Sequence, residues 1–258
     1  MTCADTLVCA TIKWGTRYPT EHVNKLFRAV QRNTDRKLRF ICMTETPDGL
    51  QNGIEWIPLK DQPFEAEMLD EQTKSRHKKG ALRKVSIFNP EIFGNWNGPV
   101  LVLDIDILIA GNLDEIADFA PGKVAMRRTF NNNPMPFSYG HGSIIKFEPS
   151  LHGYLYKYMS ENPRAAVQMS DGSEQSYTSI SAVQKDHFAY LPDEWIVSFK
   201  KHCRPRKPLN LFKTPKCPEQ AKVICFHGRP DIHEAAHGFT GRIFDKVLPT
   251  PWISDMWQ

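Results

Sequence analysis

The stretch Pro99–Leu108 (PVLVLDIDIL) decides how this chain is read. Four apolar residues, Val100 to Leu103, precede an alternation of aspartate and aliphatic residues, and such a run reads as one buried β-strand. In an ideal strand residues two apart point to the same face, so Asp104 and Asp106 are expected to converge. Burying two like charges together is costly unless a cation compensates them. Carboxylates suit hard divalent ions such as Mg²⁺ and Mn²⁺, which proteins commonly share with a substrate's phosphates. The competing reading makes the two aspartates caps of the strand end, bound to backbone amides.

Outward from that strand, the chain alternates strand and helix signals. Thr6–Ile12, Leu38–Met43 and Ile54–Leu59 are short β-branched or apolar runs, and Pro47-Asp48-Gly49 marks a turn between the last two. Glu21–Asn33 places Val23, Leu26, Phe27 and Val30 at helical spacing, with Pro19-Thr20 as a start signal. Gly80–Phe88 reads as a helix with Leu82, Val85 and Phe88 on one face. Beyond residue 120 the pattern loosens. Ser143–Phe147, Phe188–Leu191 and Val223–Phe226 read as strands, Leu151–Met159 and Gln175–Gln184 as helices, and Lys200–Pro218 as a long loop. This order predicts an α/β fold with a mostly parallel central sheet flanked by helices. In such a sheet, ligands bind at the carboxyl ends of the strands, where the aspartate pair falls.

The 258 residues, 41% hydrophobic, suit a single domain spanning 1–258, read as two halves, 1–120 and 121–258. No apolar run approaches the roughly 20 residues that span a bilayer, and Met1–Ala10 lacks the features of a secretory signal. Six cysteines without a CxxC pair read as free thiols, Cys9 and Cys42 packing as small hydrophobes. A zinc cluster of Cys217, Cys225 and His227 matches no common spacing. The expectation is a cytoplasmic protein. The net charge of +4 is concentrated in Lys74–Lys84 and Lys200–Lys207. These segments read as solvated faces, a diphosphate-binding edge, or a peripheral contact with the anionic inner membrane surface. Without interleaved aromatics they do not read as a nucleic-acid site.

The longer stretch Ala81–Ile116 (ALRKVSIFNPEIFGNWNGPVLVLDIDILIAGNLDEI) resembles the central block of glycosyltransferase family eight, which includes glycogenin and galactinol synthase relatives. Ile12-Lys13-Trp14-Gly15 and Tyr18 resemble a bacterial subgroup of such transferases. The resemblance implies the GT-A fold, a Rossmann-like nucleotide-diphospho-sugar transferase architecture. It also implies a UDP-sugar donor, Mn²⁺ or Mg²⁺, a carbohydrate, glycolipid or other hydroxyl acceptor, and retention of anomeric configuration. Asp104 and Asp106 match the family's DxD as metal ligands, with Asp104 also near the ribose. Thr11 and Tyr18 match positions touching base and ribose, and Lys84 the lysine facing the donor. Glu174-Gln175 resembles the Asp-Gln pair near the sugar, with Glu in place of Asp. His227 matches the histidine that completes the metal site. The family follows it with Gly and Lys-Pro-Trp, whereas this chain has Arg229-Pro230-Asp231. Arg229 is then the expected diphosphate clamp, because guanidinium binds phosphate oxygens in bidentate fashion. Tyr139–Ser143 fits the family's Asn-Ser-Gly block loosely.

Each position has a plainer reading. His227 is able to bond a nearby carbonyl, Glu174 to favour a helix start through the macrodipole, and Trp14 to be a core or rim aromatic. His233 and His237, four apart, read as surface histidines. Glu174 is also placed to act as a general base of an inverting reaction. Two rival functions remain. A nucleotidyltransferase would ordinarily carry a Gly-rich phosphate loop, and Lys13–Arg17 is poor in glycine. A non-catalytic nucleotide-sugar-binding protein would keep the fold alone. Arg127–His141, rich in Asn and aromatics, reads as either a carbohydrate-facing or an ordinary surface loop.

Overall fold

The computed structural model describes residues 5–74, 81–130, 139–242 and 245–258. Cys3, residues 75–80 of the first basic segment and 131–138 of the polar loop lie outside the described residues. The main strands are β1 (Thr6–Lys13), β2 (Lys37–Thr44), β3 (Ile54–Pro58), β4 (Val100–Leu103), β5 (Ile107–Ile109), β6 (Val124–Arg128), β7 (Gly140–Phe147), β8 (Phe188–Tyr190), β9 (Ile196–Ser198) and β10 (Val223–Cys225). The main helices are α1 (Thr20–Arg32), α2 (Glu65–Gln72), α3 (Asp114–Asp118), α4 (Pro149–His152), α5 (Tyr154–Glu161), α6 (Pro163–Ser170), α7 (Glu174–Gln184), α8 (Ile232–His237) and α9 (Pro251–Met256).

Among the described residues a seven-stranded sheet runs β3-β2-β1-β4-β7-β6-β8, continuous across residue 120. The pairs β3–β2, β2–β1, β1–β4 and β6–β8 are parallel, while β7 runs antiparallel to both β4 and β6. The mostly parallel α/β sheet expected from the sequence is therefore present. The chain order reverses between β1 and β4, which opens a crevice at their carboxyl ends.

Strand alternation divides the core between the two faces. Leu7, Cys9, Phe40, Cys42 and Leu101 pack against Val23, Leu26, Phe27 and Val30 of α1. Val8, Ala10, Ile41, Val100 and Val102 pack against Leu82, Val85 and Phe88 on the other face. Each fully buried aliphatic or aromatic side chain contributes roughly 1.5–3 kcal/mol, which holds both layers despite the β-branched residues in α1. The segment Ala81–Phe88 is a 3₁₀ helix. There residues three apart eclipse, so Leu82, Val85 and Phe88 form one buried row and Lys84 lies on another.

Three expectations change. Pro99–Leu108 is not one strand. β4 ends at Leu103, Asp104 and a turn at Ile105-Asp106 follow, and β5 pairs antiparallel with β10 in a second sheet, β5-β10-β9. Ile107, Leu108 and Ile109 are all buried, so the apolar run serves two sheets, and the charged residues sit at the break between them. Leu151–Met159 is also split, at Gly153, where a Cβ would fall 2.6 Å from Cγ of Pro90. The close approach needs glycine. Finally, 200–218 contains short helical turns at Phe199–Cys203 and Leu209–Leu211 rather than unbroken loop. No helix among the described residues is long and apolar enough to cross a membrane.

Candidate active site

A cavity of about 840 Å³ opens at the carboxyl ends of β1 and β4. Tyr18, Asp104, Asp106, Glu174, Gln175 and His227 line it, with Trp14 and Arg17 at the β1 side. Residues more than 200 apart in sequence thus meet at one crevice, delivered by the turn after β4, the start of α7 and the end of β10.

The aspartates converge through the turn rather than through strand alternation. The Asp104 amide donates to the Ser143 carbonyl at 2.9 Å, which fixes the break in β4 against β7. Burial, and then the charge of Asp104, push the Asp106 carboxyl up to about 6. The Tyr18 hydroxyl donates to Asp106 at 2.9 Å and partly offsets that penalty. Arg17 stands over the Tyr18 ring at 5.1 Å and adds positive charge near the pair.

Beneath Asp104 lies a buried ionic set. Lys84, 5% exposed, donates to Asp104 at 2.6 Å and to the Gly142 carbonyl at 2.5 Å, and its ammonium is 3.8 Å from Glu174. Burial works against the lysine's charge, but Asp104 and Glu174 outweigh it and hold its pKa above the ordinary value. The Glu174 pKa is raised as well: burial raises its carboxyl, with Lys84 and a 3.0 Å bond from Thr178 opposing. Gln175 accepts from the Gly142 amide at 3.2 Å, so its side chain is anchored to β7.

His227 leaves β10 with its ring stacked on Phe130 at 5.5 Å and 9°. Its Nε2 is 3.2 Å from the Ser198 hydroxyl, while Nδ1 is buried without a hydrogen-bond partner. With Nε2 carrying the proton towards Ser198, Nδ1 presents a lone pair, the arrangement that orients a ligating histidine. Burial and then the cations Lys200 and Lys201 lower its pKa, which favours the neutral ring.

Two carboxylates and an unpartnered imidazole nitrogen on one cavity are donor types that a hard divalent cation takes. Among the described residues no three His, Cys, Asp or Glu side chains form a closed metal-binding group. The same absence leaves Cys217, Cys225 and His227 unassembled as a zinc site.

Not every sequence candidate reaches the cavity. Thr11 is fully buried and donates to the Leu103 carbonyl at 2.7 Å, tying β1 to β4 beneath the floor. Lys84 lies behind Asp104 rather than on the cavity wall. Arg229 is 74% exposed, paired with Glu234 of α8, and its guanidinium lies 5.3 Å over the Phe239 ring. His233 and His237 share the exposed face of α8, their rings 4.3 Å apart. Conversely, His141, in the loosely fitting Tyr139–Ser143 block, is a buried neighbour of Asp104 and lies 6.0 Å from His227. Burial drives its pKa down to about 4. Arg17 carries no sequence signal beyond its nearness to Tyr18.

No protein-family model matches the chain, and no curated protein sequence matches it. The fold does match solved structures. A galactosyltransferase, LgtC, in complex with donor and acceptor sugar analogues is 12% identical over 88% of this chain and 89% of that one, with a TM-score of 0.59. Mouse xyloside xylosyltransferase 1 is 12% identical over 87% and 98%, with a TM-score of 0.55. The bifunctional glycosyltransferase WbbM is 13% identical over 88% of this chain and 47% of its own, with a TM-score of 0.53. At such identity the likeness establishes the fold, and the GT-A architecture expected from the sequence is the one present.

Proposed function

We propose that this chain is a glycosyltransferase that moves a sugar from a nucleotide-diphosphate sugar, a UDP-sugar, to a hydroxyl of a carbohydrate or glycolipid acceptor. The observation that carries the reading is the excess of carboxylate around one cavity: the half-buried Asp104 and Asp106 and the buried Glu174, with Lys84 the one buried cation paired to them among the described residues. A site that concentrates negative charge at the topological switch of an α/β sheet is built for a cation and the anion it brings with it.

Asp104, Asp106 and Nδ1 of His227 would hold Mn²⁺ or Mg²⁺, which supplies charge neutralisation to a departing diphosphate when bound. Tyr18 holds Asp106 in place, and Lys84 holds Asp104 through a 2.6 Å hydrogen bond. Trp14 and Arg17 at the β1 rim are placed for the nucleoside end. Gln175 and Glu174, anchored to β7 and Thr178, face the sugar end. Glu174 either stabilises the developing positive sugar centre with retention or takes the acceptor proton with inversion. The family resemblance favours retention. The location that goes with this reading is the cytoplasm, with the acceptor met there or at the inner face of the membrane.

A thermal-shift series on the intact chain tests the proposal, using UDP-sugars, UTP and each divalent cation alone and in combination. A stabilisation by a UDP-sugar that requires Mn²⁺ or Mg²⁺ is the expected result. Stabilisation by nucleoside triphosphate alone would favour nucleotidyl transfer instead, and binding without turnover of donor would leave a nucleotide-sugar-binding protein.

A further inference from the structure

The cation expected beside His227 is Arg229, and the structure turns that residue away, onto Glu234 and Phe239. A different cation occupies the place. β9 and β10 run parallel with Ser198 opposite Cys225. Two residues further on, both chains leave the sheet side by side, which brings Lys200 level with His227-Gly228.

Gly228 has φ +70°, and a Cβ built there would stand 3.3 Å from Nζ of Lys200. Glycine thus serves two ends at this position: it accepts the left-handed backbone, and it leaves room for an ammonium against the chain just after His227. Lys200 is half-buried, and among the described residues no carboxylate pairs with it. Asp245, whose charge reaches it, is taken by Arg204 at 2.6 Å. Lys201 follows it and donates to the Phe130 carbonyl, under the ring on which His227 stacks. The local field around His227 is therefore positive on the side of this turn and negative on the side of Asp104 and Asp106. A bound cation answers the carboxylates, and an anion answers the lysine.

We propose that Lys200, and not Arg229, is the side chain that holds the diphosphate of the nucleotide-sugar donor. This assignment rests on the transferase reading above. A lysine ammonium binds phosphate as a point charge on a flexible stem. Reach from the neighbouring strand end replaces the basic residue that the sequence suggested directly after the histidine and glycine.

Isothermal titration of the full chain in Mn²⁺ with UDP and with uridine decides it, using the wild type, Lys200→Ala, Lys200→Arg and Arg229→Ala. Lys200→Ala is expected to weaken UDP about 10- to 100-fold, the range of a charge-assisted hydrogen bond, and to leave uridine unchanged. Lys200→Arg should recover most of the loss, and Arg229→Ala should match the wild type. UDP binding by Lys200→Ala equal to wild type overturns the assignment of Lys200 alone, as does a loss carried instead by Arg229→Ala. An equal loss of uridine and UDP in both Lys200 variants overturns it too, since a phosphate contact cannot weaken a nucleoside. A wild type that binds no UDP removes the transferase reading, and Lys200's role with it.

Discussion

The two ends of β7 each hold a buried lysine, and they are built to different ends. Near Phe147, Lys146 is 1% exposed, donates to Glu148 at 2.9 Å, and bonds the carbonyls of Ala120 and Lys123 at 3.1 and 3.3 Å. All three ammonium donors are used and one carboxylate balances one cation. Glu148 also accepts from the Gly122 amide, so the set is closed. At the Gly140 end, Lys84 meets Asp104 and Glu174, and Asp104 adjoins Asp106. There the anions exceed the buried cation and open into a cavity. A buried charge does not by itself mark a functional site. The unbalanced set, open to solvent at a strand end, is the one on which the proposed function rests.

The largest expected effect separates the two ends by activity. Asp106→Asn should lower metal-dependent donor turnover by about 10²- to 10³-fold. It should also stabilise the metal-free protein by about 1–3 kcal/mol at neutral pH, because it removes a buried charge whose carboxyl is pushed up to about 6. Turnover assays and urea melts in a chelator check both halves. A variant that turns over donor like the wild type removes Asp106 from the metal site.

At the closed end the balance is reversed. Lys146→Met should cost about 3–5 kcal/mol, since it leaves Glu148 buried beside an empty partner. Adding Glu148→Gln should recover much of that loss, and turnover per folded molecule should stay unchanged in both variants. A fall in turnover of the folded double variant would mean that the two ends of β7 are coupled.

Acid should act in opposite directions at the two ends. His152 of α4, at the closed end, accepts from the Glu148 amide at 2.9 Å through Nδ1, and burial lowers its pKa to about 4. The unfolded chain protonates this ring near its ordinary value of 6.5, so between pH 6.5 and 4 the unfolded state holds more protons. This contribution to stability is lost as the pH falls through that window, by up to about 3 kcal/mol. Asp106 gives the opposite sign: its folded carboxyl protonates first, so its contribution improves as the pH falls from about 6 towards 3.8. Denaturation series at several pH values should show a slope that flattens in His152→Gln and steepens in Asp106→Asn. The same sign in both variants would break the contrast.

The smallest effect concerns Thr11. Thr11→Val removes its bond to Leu103 and should cost about 1 kcal/mol in a urea melt, with uridine affinity unchanged. A selective loss of uridine binding would return Thr11 to the donor site.

The sequence by itself determined the α/β class with its mostly parallel sheet, the apolar helix faces and the presence of the aspartate pair, because these rest on local patterns. The apolar runs Thr6–Ile12 and Leu38–Met43, the spacing of Val23, Leu26, Phe27 and Val30, and the row Leu82, Val85, Phe88 are each read from a few neighbouring residues. It did not reveal that the run Val100–Ile109 divides between two sheets, since every apolar residue in it is buried whichever sheet it joins. Nor did it separate Thr11 and Lys84, which support the site from below, from Tyr18 and His227, which line it. Side-chain direction depends on which strand lies alongside, and that was decided by the tertiary structure. The same holds for the basic residue beside His227. Adjacency in sequence pointed to Arg229, whereas the parallel register of β9 with β10 delivered Lys200. Local patterns fix which residues are buried; only the pairing of distant strands fixes which charges meet.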